Sequence, residues 1–259
     1  MKVQEMVGWP RPGLLGEDVY GSVRRAALRL RNLRAFAHMP LSDLTARDRV
    51  HIFHHIPRSG GTSVSRAMQR WFWIIRDYRP VTGGDEDFFR NRKPICSLRN
   101  YQCLAGHFAT DGGHLAERYP EVFGDKRFRV FTFLRDPLEA KISLYYYEKR
   151  HGMNAGVGLE QHLLGRSNYI ANRFPCTATD YRSVLGGYFF VGVTEHMQDS
   201  LDKLAGLVGR PRVKVPLLNE AARDQQVLML SPTVLREFRH RNELDYLIYQ
   251  YGLDRLTGT

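Results

Sequence analysis

Cysteine is scarce in this chain: Cys96, Cys103 and Cys176 are the 3 in 259 residues. An odd, low count with no CxxC pair argues against a disulfide framework and against a cysteine-built zinc site. Free thiols in a reducing compartment are expected instead. Long apolar runs are also missing. None approaches the roughly 18 residues of a membrane span. The opening MKVQEMVGWPRPG is broken by polar residues and prolines, so it offers no signal-peptide core. A soluble, cytoplasmic protein of bacterial type is the expectation. No HExxH and no acidic metal cluster occurs, so no catalytic metal is expected. Acidic residues are in deficit, with 27 Asp and Glu against 38 Lys and Arg and a formal net charge of +11. Such a surface draws anions and speeds their arrival. Nucleic acid is not favoured, because no helix-turn-helix, zinc-finger or RNA-recognition signature accompanies the charge.

What is present is ordinary globular composition, 43% hydrophobic and 25% charged. The length suffices for one sizeable α/β core. Residues 1–47 read as an N-terminal extension, Pro/Gly-rich at first. It then carries a basic helical pattern, SVRRAALRLRNLRAFAHM, at 22–39. That helix is expected to pack on the domain; the alternative is a basic helix making peripheral membrane contact. Residues 48–259 read as the α/β domain, because strands alternate with helices there, the signature of a parallel sheet. The strands are VHIFHHI at 50–56, YQCLAG at 101–106, FRVFTFL at 128–134 and YFFVGV at 188–193. SVSRAMQRWFWII after the first strand reads as helical, with Trp71, Phe72 and Trp73 as core or as a stacking surface for a base. A last helical pattern begins at Ser231 as N-cap, with Pro232 in the first position. Each strand ends in polar residues: Arg58 to Ser63, His107, Arg135, then Thr194 and Glu195. In a parallel sheet these converge on the rim where ligands bind.

Residues 57–63, PRSGGTS, lie between a strand and a helix. Gly60 and Gly61 permit a tight turn and close backbone approach. Thr62 and Ser63 open the helix, whose free N–H groups and dipole favour a phosphate or sulfate. Arg58 and Ser59 complete the loop. It is not a Walker A loop, because no Lys precedes Thr62 or Ser63. A P-loop kinase would need that Lys and a magnesium-binding acid. A second anchor lies in TFLRDPLEAKISLYYY at 132–147. Arg135 offers a planar fork that matches phosphate oxygens, and Ser143 stands on the second turn of the following helix.

Together, HIPRSGGTS at 55–63 and LRDPLEAKISLYYY at 134–147 resemble the sulfotransferases that use 3′-phosphoadenosine 5′-phosphosulfate (PAPS). The likeness is greatest to the carbohydrate branch, which contains the heparan and uronosyl enzymes. FVGVTEHMQDSLDKL at 190–204 and ELDYLIYQYG at 243–252 extend it, so it covers roughly residues 50 to 252. The resemblance implies a P-loop-like three-layer sandwich, a mainly parallel sheet flanked by helices. It also implies that the first loop holds the 5′-phosphosulfate of PAPS and that Arg135 and Ser143 hold the 3′-phosphate. The family commonly has Lys where this chain has Arg58. Arg keeps the charge but is essentially never deprotonated, so Arg58 is assigned to stabilising the leaving group. In CLAGHFAT at 103–110, His107 matches the family's general base, and a neutral imidazole suits that task. His55 falls on the same loop motif and is expected to pack beside it. Asn172 and Arg173 lie where the family places acceptor-binding loops. The implied reaction moves a sulfuryl group to an acceptor hydroxyl on a carbohydrate. A lipid, a small metabolite or a peptide tyrosine is the alternative acceptor, because the cofactor motifs do not report on it.

Overall fold

The computed structural model describes residues 29–78, 90–108, 114–215 and 230–258, with Ser22, Ala26, Ala27 and Phe88 besides. Five strands form one sheet: β1 (Val50–His54), β2 (Trp73–Asp77), β3 (Gln102–Gly106), β4 (Phe128–Leu134) and β5 (Phe190–Val193). Their order is β2-β3-β1-β4-β5, and every pairing is parallel. The main helices are α1 (Gly61–Met68), α2 (Leu115–Arg118), α3 (Pro137–Arg150), α4 (Leu159–Leu163), α5 (Tyr181–Gly186), α6 (Met197–Val208), α7 (Pro232–Arg241) and α8 (Glu243–Thr257).

All five residues of β1 are buried, as a central strand covered on both faces requires. Alternate residues feed two cores. Val50, Ile52, Leu104, Val130 and Val191 pack with α2, α5 and Ile248 of α8 on one face. Phe53, Ala105, Phe131, Phe133 and Phe190 pack with α1 and α6 on the other. The result is the expected α/β sandwich of three layers, with a glycine loop between its central strand and first helix. From β1 the chain turns toward β3 and β2; from β4 it turns toward β5. The loops leaving β1 and β4 therefore diverge, and a crevice opens between them at the carboxyl ends.

β2 corrects the expected long helix after the glycine loop. α1 stops at Met68, Trp71 and Phe72 are buried in the turn, and Trp73 begins an edge strand. Pairing of Trp73 through Asp77 with Gln102 through Gly106 decides the matter, and that pairing is not local in sequence. The outer edge of β2 is capped from the N-terminal segment. Asn32 Nδ2 donates to the Ile74 carbonyl at 3.1 Å, and Ile74 N–H donates to Asn32 Oδ1 at 3.2 Å. An edge strand satisfied by a side chain is closed to further pairing at that point. The helix expected over 22–39 is seen in its described residues: Ser22, Ala26, Ala27 and residues 29–32 are α-helical, and the chain then tightens into a 3-10 helix at Leu33–His38, where Ala35 is buried and Phe36 packs on Trp73. Residues 1–21 of the expected extension lie outside the described residues. Ser231 does cap α7, accepting the Val234 N–H at 3.2 Å.

Candidate active site

The loop after β1 turns through two left-handed residues, Arg58 (φ 67°) and Gly60 (φ 68°). A non-glycine residue held there marks a locally strained backbone. Space dictates both glycines. A Cβ on Gly60 would lie 2.5 Å from Met197 Cε and 3.2 Å from Thr194 Cγ2. A Cβ on Gly61 would lie 1.7, 2.2 and 2.3 Å from Nε2, Cδ2 and Cε1 of His55, so the ring lies face-on over Gly61. The N–H groups of Ser63 and Val64 return to the Gly60 carbonyl at 2.9 and 3.1 Å. Those of Gly60, Gly61 and Thr62 make no hydrogen bond among the described residues. They stand at the positive end of α1, an arrangement that cradles an oxyanion. Ser59 Oγ is buried and also without a partner among the described residues, a donor of the kind a bound oxyanion satisfies.

Arg58 carries the loop to the second anchor. Its Nε and Nη2 donate to Ser143 Oγ at 3.0 and 2.8 Å, and its guanidinium lies 4.9 Å from the Tyr147 ring centre. Arg135 Nη1 donates to the Arg58 carbonyl at 3.2 Å and meets Glu139 at 3.5 Å. Asp136 caps α3 by accepting the Glu139 N–H at 3.0 Å, which holds Ser143 in place two turns on. Burial lowers the Arg58 pKa, and the charges of Arg150 and Arg135 add to that while Tyr169 opposes it. A half-buried group of like charges is poised to take an anion. β5 closes the wall: Thr194 Oγ1 donates to the Leu134 carbonyl at 2.8 Å, and Glu195 accepts the Asp136 N–H at 3.0 Å.

His107 stands at the end of β3, next to β1. Its Nε2 is 3.0 Å from His55 Nδ1, which is itself 3.1 Å from the Tyr78 hydroxyl. Its Nδ1 makes no hydrogen bond among the described residues. Burial pulls its pKa down to about 4, helped by the charge of Arg173, so the ring is neutral at pH 7. Gly106 before it is obligatory for a packing reason: a Cβ there would lie 2.1 Å from the Asp77 carbonyl oxygen.

Arg173 is brought toward this site and Asn172 is not. The segment holding both is pinned from α8 and the residue before it. Asp245 accepts the N–H groups of Ile170 and Ala171 at 3.1 and 2.7 Å, and Asn242 accepts that of Asn168 at 2.7 Å. Burial pushes the Asp245 carboxyl up to about 6 against those hydrogen bonds. The Arg173 guanidinium lies 5.0 Å from the Tyr169 ring centre, while exposed Asn172 folds back onto the Ser167 carbonyl at 3.0 Å. Sequence reasoning passed over Tyr78 and Tyr169. Tyr78 follows the strand that was read as helix; the apolar WII before it was the available signal. Tyr169 carried no local signal.

The comparisons with known proteins give structural neighbours only. No family model matches the chain, and no curated protein matches it. The chain is similar in structure to a sulfotransferase from Alicyclobacillus acidocaldarius. That match has 15% identity and a TM-score of 0.49, covering 80% of this chain and 95% of the other. It is also similar to mouse sulfotransferase SULT7A1 complexed with PAP, at 12% identity and a TM-score of 0.48. There the alignment covers 80% of this chain and 90% of the other. Among the described residues, no group of three His, Cys, Asp or Glu is placed to hold a metal ion. No helix among them is long and apolar enough to cross a membrane. Beyond Arg173 lies a mostly apolar cavity of about 260 Å³, walled by Leu115, Phe123, Pro175, Val184 and Tyr188.

Proposed function

We propose that this chain is a sulfotransferase that moves a sulfuryl group from PAPS to an acceptor hydroxyl, on a carbohydrate. The carrying observation is the convergence of the loop at 58–63 with Arg135 and Ser143, joined through the Arg58–Ser143 contact at 2.8 Å. Those groups fit a nucleotide bearing two phosphate positions: N–H donors and Ser59 for one, the Arg135 fork and Ser143 for the other. PAPS supplies an activated sulfur whose bond to the 5′-phosphate oxygen breaks as the acceptor oxygen bonds to it. Arg58 and the α1 N-terminus stabilise charge on that departing phosphate, a fixed electrostatic contribution. Arg58 does not give up a proton. His107 takes the acceptor proton at Nδ1, the nitrogen not engaged by His55.

The net charge of +11 and the placement of Arg173 near His107 support an acidic glycan as acceptor. The apolar cavity favours a second reading, a small acceptor with an apolar body. Turnover on an unsulfated uronic-acid polysaccharide against a panel of phenols and alcohols separates the two.

Thermal stability with and without 3′-phosphoadenosine 5′-phosphate (PAP) tests the cofactor. PAP at 100 times its dissociation constant should add about 2.7 kcal/mol. ATP should add far less, and Arg135→Ala should abolish the gain. An equal gain from ATP would return the chain to the kinase-like reading. His107→Ala should keep the PAP shift and lower turnover by about 10²- to 10⁴-fold. Full turnover in that variant would remove His107 as base.

A further inference from the structure

We propose that His55, backed by Tyr78, is a positioning residue that sets the tautomer of His107. His55 Nδ1 carries a lone pair that accepts from both the Tyr78 hydroxyl and His107 Nε2–H, which leaves His107 Nδ1 unprotonated. The catalytic consequence rests on the reading of His107 as base; the geometry does not.

Two donors and one acceptor nitrogen account for the distances. His55 Nδ1 is 3.0 Å from His107 Nε2 and 3.1 Å from the Tyr78 hydroxyl. A neutral imidazole nitrogen holds either a proton or a lone pair. A proton on His55 Nδ1 would have to be shared between two neighbours and would leave the Tyr78 O–H without that acceptor. A lone pair satisfies both. Burial holds both imidazoles neutral, His55 well below its ordinary value and His107 at about 4.

The rings are also locked mechanically. His55 and His107 centres are 4.4 Å apart, and Tyr78 stands edge-on to His107 at 4.8 Å with an interplanar angle of 81°. The far side of His55 lies on Gly61. The helix whose N-terminus cradles the oxyanion thus holds, through Gly61, the ring that orients the base. Placement of the anion and orientation of the base become one structural property, as pre-organised sites require. A mis-set tautomer in a comparable histidine costs orders of magnitude in turnover.

Nitrogen-15 chemical shifts of the histidine rings in the full-length protein test this directly. The expected spectrum shows His55 Nδ1 as an unprotonated, pyridine-type nitrogen and His107 Nε2 as protonated. In His55→Leu the two His107 nitrogens should move toward each other as both tautomers populate. In Tyr78→Phe, which removes one oxygen atom, His55 Nδ1 should shift and the PAP-dependent stabilisation should persist. A protonated His55 Nδ1 in the unaltered protein would overturn the proposal. So would unchanged His107 shifts in His55→Leu. If His55→Leu does not fold, the unaltered protein and Tyr78→Phe decide alone. Undiminished turnover in His107→Ala would remove the base and leave these shifts interpretable. Wrong shifts would remove the positioning and leave sulfuryl transfer standing.

Discussion

At Gly61 a methyl group would land 1.7 Å from His55 Nε2, and at Gly106 it would land 2.1 Å from the Asp77 carbonyl oxygen. The two sites differ in what can yield. The obstacle at Gly61 is a ring that can swing away; that at Gly106 is backbone of a paired strand. Gly61→Ala should therefore cost about 1–3 kcal/mol, the usual penalty of overpacking, and weaken PAP binding as His55 moves. Gly106→Ala should cost more and displace His107 as well. Thermal unfolding of both variants checks the order; a Gly106→Ala protein as stable as the parent would contradict the close approach. Of the residues singled out from sequence, Arg58, Ser59, Arg135, Ser143 and His107 gather at the crevice. Their clustering was legible because each follows a recognisable strand or starts a recognisable helix. The direction of Asn172 was not legible, because a side chain on an irregular turn takes the direction of the hydrogen bond it finds, here to the Ser167 carbonyl.

β2 illustrates how an element positions a site from behind. Asp77 at its end is buried with Arg118, which donates Nε to Oδ2 at 2.8 Å and Nη2 to Oδ1 at 3.0 Å. The Tyr119 hydroxyl adds a third bond to Asp77 at 2.7 Å. This fixes the strand end immediately before Tyr78. Arg118→Leu leaves the carboxylate buried and unpaired, which typically costs about 3–5 kcal/mol. Denaturant unfolding should show that loss, and Asp77→Leu combined with Arg118→Leu should recover part of it. A single variant with unchanged stability would mean the pair is not buried as described. The strand itself was hidden because RWFWII suits a buried helix as well as an edge strand. Only pairing with β3 chooses between them.

Across the whole molecule, burial holds His51, His54, His55 and His107 neutral: His51 and His54 at about 3, His107 at about 4 and His55 well below the ordinary 6.5. The unfolded chain protonates them near 6.5, so it binds more protons than the folded chain between about 6.5 and 4. Stability must therefore fall as pH drops through that window and be insensitive to these groups above pH 7. Each unit of difference corresponds to about 1.4 kcal/mol. Urea unfolding at pH 7.5 and pH 5 measures it; an equal or higher midpoint at pH 5 would refute the burial of these rings. On the proposed role of His107 as base, the same depression places the acid limb of kcat/KM nearer 4 than 6.5.

Local pattern by itself determined the alternation of strands and helices, the glycine loop with its missing Walker lysine, and the Arg135–Ser143 spacing. Those features depend on residues within one or two turns of each other, where periodicity and backbone preference decide the outcome. Tertiary structure decided the fifth strand and the meeting of His55, Tyr78 and His107. Each joins residues distant along the chain, from 23 positions for His55 and Tyr78 to 52 for His55 and His107. Such contacts exist only once the sheet has set which strand ends lie side by side.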